Sequence, residues 1–260
     1  MTPDKLFDLT GKTALVTGGS RGIGAATVSG IVSAGGSVVV HYGSNRDAAE
    51  KTAADAGTDQ CHLVGADLNE AAAASGLWAA AIGWKGHIDI LVNNAGVFYP
   101  AEVDCTDAHW REAWQRTLQI NLVATADLCR EAINHWREKG AGGSIVNVAS
   151  RAAFRGDGPD YWSYAASKGG IISLTKTLAR AYSAEGIYTY AVAPGFVATD
   201  MAVESFAHDP ALRDRVISEI PMGEIAPASD IANTICFLAS GLATHATGQT
   251  IDVNGASYVR

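Results

Sequence analysis

The sequence predicts a doubly wound α/β fold: a parallel β-sheet flanked by helices on both faces, in a single domain over residues 1–260. Three observations carry that expectation. Short runs rich in Val and Ile alternate along the chain with segments of helical spacing. The runs are apolar throughout, as strands covered on both faces must be. No linker, repeat or break in composition divides the chain. With 48% hydrophobic and 18% charged residues the interior can be large, which excludes a disordered chain.

The elements follow in order. A strand over 13–17 runs into Thr17-Gly18-Gly19-Ser20-Arg21-Gly22-Ile23-Gly24, and helical spacing over 22–34 starts at once. Strands at 37–42 and 61–64 are followed by helices at 47–56 and 70–84. A strand at 88–93 precedes one long helix, 107–139, with Trp110, Trp114, Leu118, Leu122, Leu128, Ala132 and Trp136 recurring at three or four residues. Strands at 144–149, 187–193 and 249–253 and helices at 162–184 and 229–239 complete the alternation. The segment 195–223 is the long stretch between elements. Its Phe196, Met201, Phe206 and Met222 suit a lid that closes over an apolar ligand.

Several function classes drop out. The longest apolar stretches, 144–149 and 187–193, are far below the roughly 18 residues of a membrane span. Asp4, Lys5, Asp8 and Lys12 do not form a signal-peptide layout, so a cytoplasmic location is expected. Cys61, Cys105, Cys129 and Cys236 show no CxxC pair or His at ligand spacing; they read as buried thiols, with no metal site. A net charge of −8 disfavours nucleic acid and anionic membranes as partners, leaving a small molecule.

Glycines at a strand-to-helix turn let a pyrophosphate approach backbone N–H groups at the positive end of a helix. The spacing here, Gly-x3-Gly-x-Gly, makes it a variant dinucleotide turn. Further on, Tyr164 and Lys168 are one helical turn apart on a face continued by Ile171, Ile172, Thr175 and Leu178. A phenol ordinarily ionises near pH 10, and bringing it to neutrality takes about 4 kcal/mol; a nearby ammonium favours that change. Ser150, ending a strand, is placed to hydrogen-bond a substrate oxygen while Tyr164 exchanges the proton. Tyr161 has no Lys one turn later, so Tyr164 is the better phenol. Arg151 and Arg155 read as solvated loop charges outside the site.

These residues resemble the short-chain dehydrogenase/reductase family in its compact, Rossmann-type form. Asn93-Asn94-Ala95-Gly96 follows the fourth strand as in that family, and Asn121, Ser150, Tyr164 and Lys168 fall in the order of its catalytic tetrad. The resemblance implies that hydride transfer belongs to a nicotinamide, that Lys168 also holds the nicotinamide ribose, and that Asn121 helps retain a water in a proton relay. It implies cofactor contacts at Gly18, Ser20, Arg21, Gly22, Ile23, Gly24, Asp67, Leu68, Asn94, Ala95, Gly96, Pro194, Gly195, Val197 and Thr199. Asp67 has an alternative role as a helix cap.

The second strand ends His41-Tyr42-Gly43-Ser44-Asn45-Arg46, without the acid that many NAD-selective members carry. Arg21, Ser44 and Arg46 suit a 2′-phosphate, so NADP(H) is expected over NAD(H). Asn254-Gly255-Ala256 departs from a frequent double glycine, which bears on packing there. The family commonly pairs the 107–139 and Tyr164 helices between subunits, implying a homotetramer. The leading expectation is a reductase of a ketone or 3-oxoacyl group, similar to the 3-oxoacyl carrier-protein reductases, with an acyl-carrier-bound substrate allowed. The alternatives are an NAD(P)-dependent alcohol or polyol dehydrogenase, and a non-catalytic dinucleotide-sensing regulator.

Overall fold

The structure is a computed structural model and describes residues 7–199 and 210–260. Among them a seven-stranded parallel sheet has the order β3-β2-β1-β4-β5-β6-β7. Its strands are β1 (Thr13–Val16), β2 (Ser37–Tyr42), β3 (Cys61–Gly65), β4 (Ile90–Asn93), β5 (Gly143–Val148), β6 (Ile187–Pro194) and β7 (Thr250–Val253). The chain first winds outward from β1 to β3, then returns to β4 and winds the other way. The reversal leaves a crevice at the carboxyl ends of β1 and β4, where open α/β sheets bind ligands.

Alternation along each strand builds the two cores. Val16, Val38 and Val40 face one layer, with Val28 and Ile31 of α1 (Gly22–Ser33) and Ile235 of the helix Ala228–Ala239. Leu15, Val39 and Leu91 face the other, with Leu77 and Trp78 of α3 (Ala73–Lys85) and Leu128 and Trp136 of α5 (Ala124–Lys139). Trp136 is 1% exposed, and its indole N–H donates to the Ile88 carbonyl at 2.6 Å, so its burial leaves no donor unpaired. Helix α7 (Trp162–Tyr182) lies over β6, with Ile171 and Ile172 against Ala149 and Ala191.

Two sequence expectations are corrected here. The stretch 107–139 is not one helix: α4 (Asp107–Leu118) and α5 are joined by a single π-helical turn, Gln119–Val123, that contains Asn121. The apolar spacing continues through the turn, so periodicity could not reveal it. The segment 195–223 also carries structure, a short strand at Val197–Ala198 paired with Ala226–Pro227 and a helix at Pro210–Ser218. Met201 and Phe206 lie outside the described residues. Cys129 and Cys236 are buried as expected, but Cys61 and Cys105 are only partly so. Among the described residues no helix is long and apolar enough to cross a membrane, and no group of three or more His, Cys, Asp or Glu is placed to hold a metal.

Candidate active site

The glycine turn is held by its neighbours' polar atoms. Gly18 N–H donates to Nδ1 of His41 (3.1 Å) and Gly19 N–H to the His41 carbonyl (2.8 Å). Nε2 of the same ring reaches the Ala66 carbonyl at 3.0 Å, so the His41 ring carries its proton on Nε2. On the other side Nδ2 of Asn94 donates to the Thr17 (2.9 Å) and Gly18 (3.1 Å) carbonyls. The Thr17 hydroxyl accepts from the N–H groups of Asn94 (2.9 Å) and Ala95 (3.0 Å).

That turn fits a dinucleotide pyrophosphate. Gly18 and Gly22 have φ of +61° and +56°, which other residues adopt at a cost. A Cβ on Gly18 would press on Cα of Ala95 at 3.0 Å, and one on Gly24 would run into the Gly18 carbonyl. One on Gly22 would meet Thr199 at 3.0 Å, which puts the segment after β6 over the turn. Helix α1 has no side-chain cap at Arg21 and no acid in its first turn, so its N–H groups and positive end are left for an anion. Ser20, Arg21 and Ile23 border this turn, with Arg21 exposed.

Beyond β2, Ser44 and Arg46 are exposed. Nε of Arg46 donates to Glu50 at 2.8 Å on the surface of α2 (Arg46–Ala56). Asp67 is exposed and accepts from Asn69 N–H at 2.9 Å, closing a turn well before α3 rather than capping that helix; Leu68 beside it is buried. Pro194 and Val197 are buried, and the place of a Gly195 side chain is filled by Cβ of Asn254 at 2.8 Å. The departure near the C-terminus therefore has a structural consequence. Gly255 and Ala256 both have positive φ, +61° and +66°, so an alanine occupies a conformation that suits glycine.

Two residues of the expected tetrad, Asn121 and Lys168, meet beneath Gly96, and Tyr164 stands beside Lys168. A Cβ on Gly96 would lie 3.4 Å from Oδ1 of Asn121 and 3.5 Å from Nζ of Lys168. Lys168 is 4% exposed, and its Nζ donates to the Val148 carbonyl at 2.8 Å and stands 5.7 Å from the centre of the Tyr164 ring. Tyr164 is partly buried, and Ser150 beside it favours the ionised phenol. Asn121 is 1% exposed: its Oδ1 accepts from Val97 N–H (2.8 Å), and its Nδ2 donates to the Val97 carbonyl (3.0 Å) and the Ser167 hydroxyl (3.1 Å). The π-helical turn thus presents an amide that clamps the loop after β4 to α7.

Burial dominates the electrostatics. It pushes the Tyr164 phenol up to about 12, with Asp157 adding to the rise and Ser150 opposing it. It also lowers the Lys168 ammonium to about 8. The expected lowering of Tyr164 by Lys168 is therefore corrected for the chain by itself: the ammonium is engaged by a backbone carbonyl, and loss of solvent is the larger effect.

Arg151 is a further correction. It is 5% exposed rather than solvated, packs 5.1 Å from the Phe196 ring, and lies 3.8 Å from Glu219, to which Arg155 also reaches at 3.5 Å. It ties both ends of the 195–223 segment to the residue after Ser150. His41, Thr17 and Phe98 were missed from sequence. A lone histidine inside an apolar strand was the available sign for His41; nothing local marks the other two.

Residues 18–256 match the family model described as Enoyl-(Acyl carrier protein) reductase. The chain is similar to 3beta-hydroxysteroid dehydrogenase 1 of Eggerthella lenta, 37% identical over 95% of this chain and 94% of that protein. It is similar as well to 3-oxoacyl-[acyl-carrier-protein] reductase FabG of Staphylococcus aureus, 33% identical over 95% and 98%. A crystal structure of a 3-oxoacyl (acyl-carrier-protein) reductase from Agrobacterium tumefaciens C58, with NADP bound, superposes with a TM-score of 0.88 at 29% identity, covering 98% of this chain and 97% of that one.

Proposed function

The chain belongs to the short-chain dehydrogenase/reductase family, and from that premise we propose that it transfers a hydride between NADP(H) and a ketone, 3-oxoacyl group or secondary alcohol, with Tyr164 as acid and base. It is an oxidoreductase of CH–OH and carbonyl groups. The observation that carries the proposal is Lys168 facing the Tyr164 ring at 5.7 Å, with its Nζ and the Asn121 amide meeting beneath Gly96. A nicotinamide cofactor held on the glycine turn would supply or accept the hydride. NADP(H) is supported by the NADP-bound structural relative and by a β2 end without an acid but with Ser44 and Arg46.

Each residue then has a task at a stated atom. A phenol held near 12 is fully protonated at neutral pH, so the Tyr164 hydroxyl is a ready donor to the oxygen of a reduced carbonyl. The Ser150 hydroxyl orients that oxygen. Lys168, still charged at pH 7, faces the ring and offsets only part of the cost that burial places on the phenolate left behind. Asn121 holds the Val97 backbone and α7 in register around them. We assign the segment 195–223 as the cover over the substrate, and place the enzyme in the cytoplasm as a homotetramer.

NADPH oxidation with a panel of carbonyl compounds tests the proposal. Tyr164→Phe is expected to lower kcat at least about 100-fold while NADPH still quenches tryptophan fluorescence. Wild-type kcat/KM is expected to favour NADPH over NADH. Undiminished turnover in the Phe variant would reject the mechanism, and a preference for NADH would reject the cofactor. The 3beta-hydroxysteroid dehydrogenase relative favours the second reading, an alcohol dehydrogenase running toward the ketone at the same residues. A dinucleotide sensor without turnover is the outcome if no carbonyl is reduced.

A further inference from the structure

The surroundings of the Tyr164 ring select a kind of substrate. The loop after β4 brings Phe98 against it, ring centres 4.7 Å apart at 88°, and Phe98 stacks on Tyr161 at 3.7 Å and 12°. The two loops that carry this pair are joined by a hydrogen bond from Ala101 N–H to the Asp160 carbonyl at 2.8 Å. Phe98 nonetheless remains 36% exposed, among the largest apolar side chains still open to solvent, and Gly96 two residues before it leaves no side chain over Lys168. An aromatic ring fixed in the open beside a polar phenol is a surface that ligand contact would complete.

The charges around it point the same way. Glu102 and Asp104 are exposed on the Phe98 loop, and Asp157 is exposed on the loop before Tyr161. Among the cations of this neighbourhood, Arg116 lies over the Tyr99 ring at 4.8 Å, and Arg151 and Arg155 both face Glu219. An acidic carrier protein docking here would meet like charge.

Resting on the reading of Tyr164 as the acid, we propose that Phe98 and Tyr161 form an aromatic wall of the substrate site, and that the substrate is a free, uncharged ketone or secondary alcohol with a ring next to the reacting carbon. A ring on that carbon lies along the wall while its oxygen reaches Tyr164 and Ser150. A flexible chain tethered to a carrier gains little from the same surface.

The test compares kcat/KM for acetophenone with that for ethyl acetoacetate, both with NADPH, in the wild type, Phe98→Ala and Phe98→Leu. The wild type is expected to favour the ring ketone at least about tenfold, mainly through KM. Phe98→Ala should erase most of that preference, and Phe98→Leu, which keeps an apolar side chain in the loop, should erase part of it. Better use of the aliphatic ester by the wild type, or an unchanged preference in both variants, overturns the aromatic wall and leaves the reductase assignment standing. Failure of the wild type to reduce either ketone while still binding NADPH overturns both.

Discussion

At the scale of single residues, burial sets the chemistry more than charge pairing does. Lys168 loses its proton near pH 8, so kcat/KM for carbonyl reduction is expected to fall above about pH 8, well before the phenol ionises. A pH profile in saturating NADPH checks this, and a flat profile from pH 7 to 9.5 contradicts it. His41 acts through the glycine turn. Burial lowers its value below 6.5 against the opposing Ala66 carbonyl, and protonating Nδ1 would also forfeit the Gly18 hydrogen bond. The unfolded chain therefore takes up that proton first as the pH falls. The stability contributed by neutral His41 is full above pH 6.5 and is lost as the pH drops toward its folded value. His41→Leu is expected to remove this part of the acid sensitivity, read from urea midpoints between pH 7.5 and 5, and to weaken NADPH binding about tenfold through the unpaired Gly18 N–H.

At the scale of elements, the break between α4 and α5 is what places the Asn121 amide. A regular helix would pass Asn121 through without aligning its amide to both backbone groups of Val97. Removing it in Asn121→Ala leaves buried partners unpaired and is expected to cost about 2 kcal/mol, a fall in Tm of roughly 4–8 °C, together with reduced turnover. Thermal unfolding beside the NADPH oxidation assay measures both. The break was illegible because its residues, Gln119-Ile120-Asn121-Leu122-Val123, keep the apolar spacing of the helices on either side. The glycine turn was legible for the opposite reason: its backbone conformation demands glycine, so the requirement is written in residue types.

At the scale of the whole molecule, the sheet reversal between β1 and β4 brings together a turn at residue 18, a loop at 96 and a helix at 164. Val123 on the π-helical turn and Trp162 at the start of α7 remain exposed, at 42% and 49%, which supports pairing of these helices between subunits. Light scattering at micromolar concentration is expected to give the mass of four chains, and a monomer would contradict it. The sequence by itself determined the doubly wound architecture, because strand apolarity, helical period and glycine placement are local constraints on residue type; Tyr164, Lys168, Ser150 and Asn121 are proposed as site residues on the order they share with the family. Only the tertiary structure decided that His41 braces the glycine turn, that Arg151 is buried, and that Phe98 stands against Tyr164. Contacts between residues 23, 66 or 68 positions apart depend on how the sheet is wound, and leave no period in the chain.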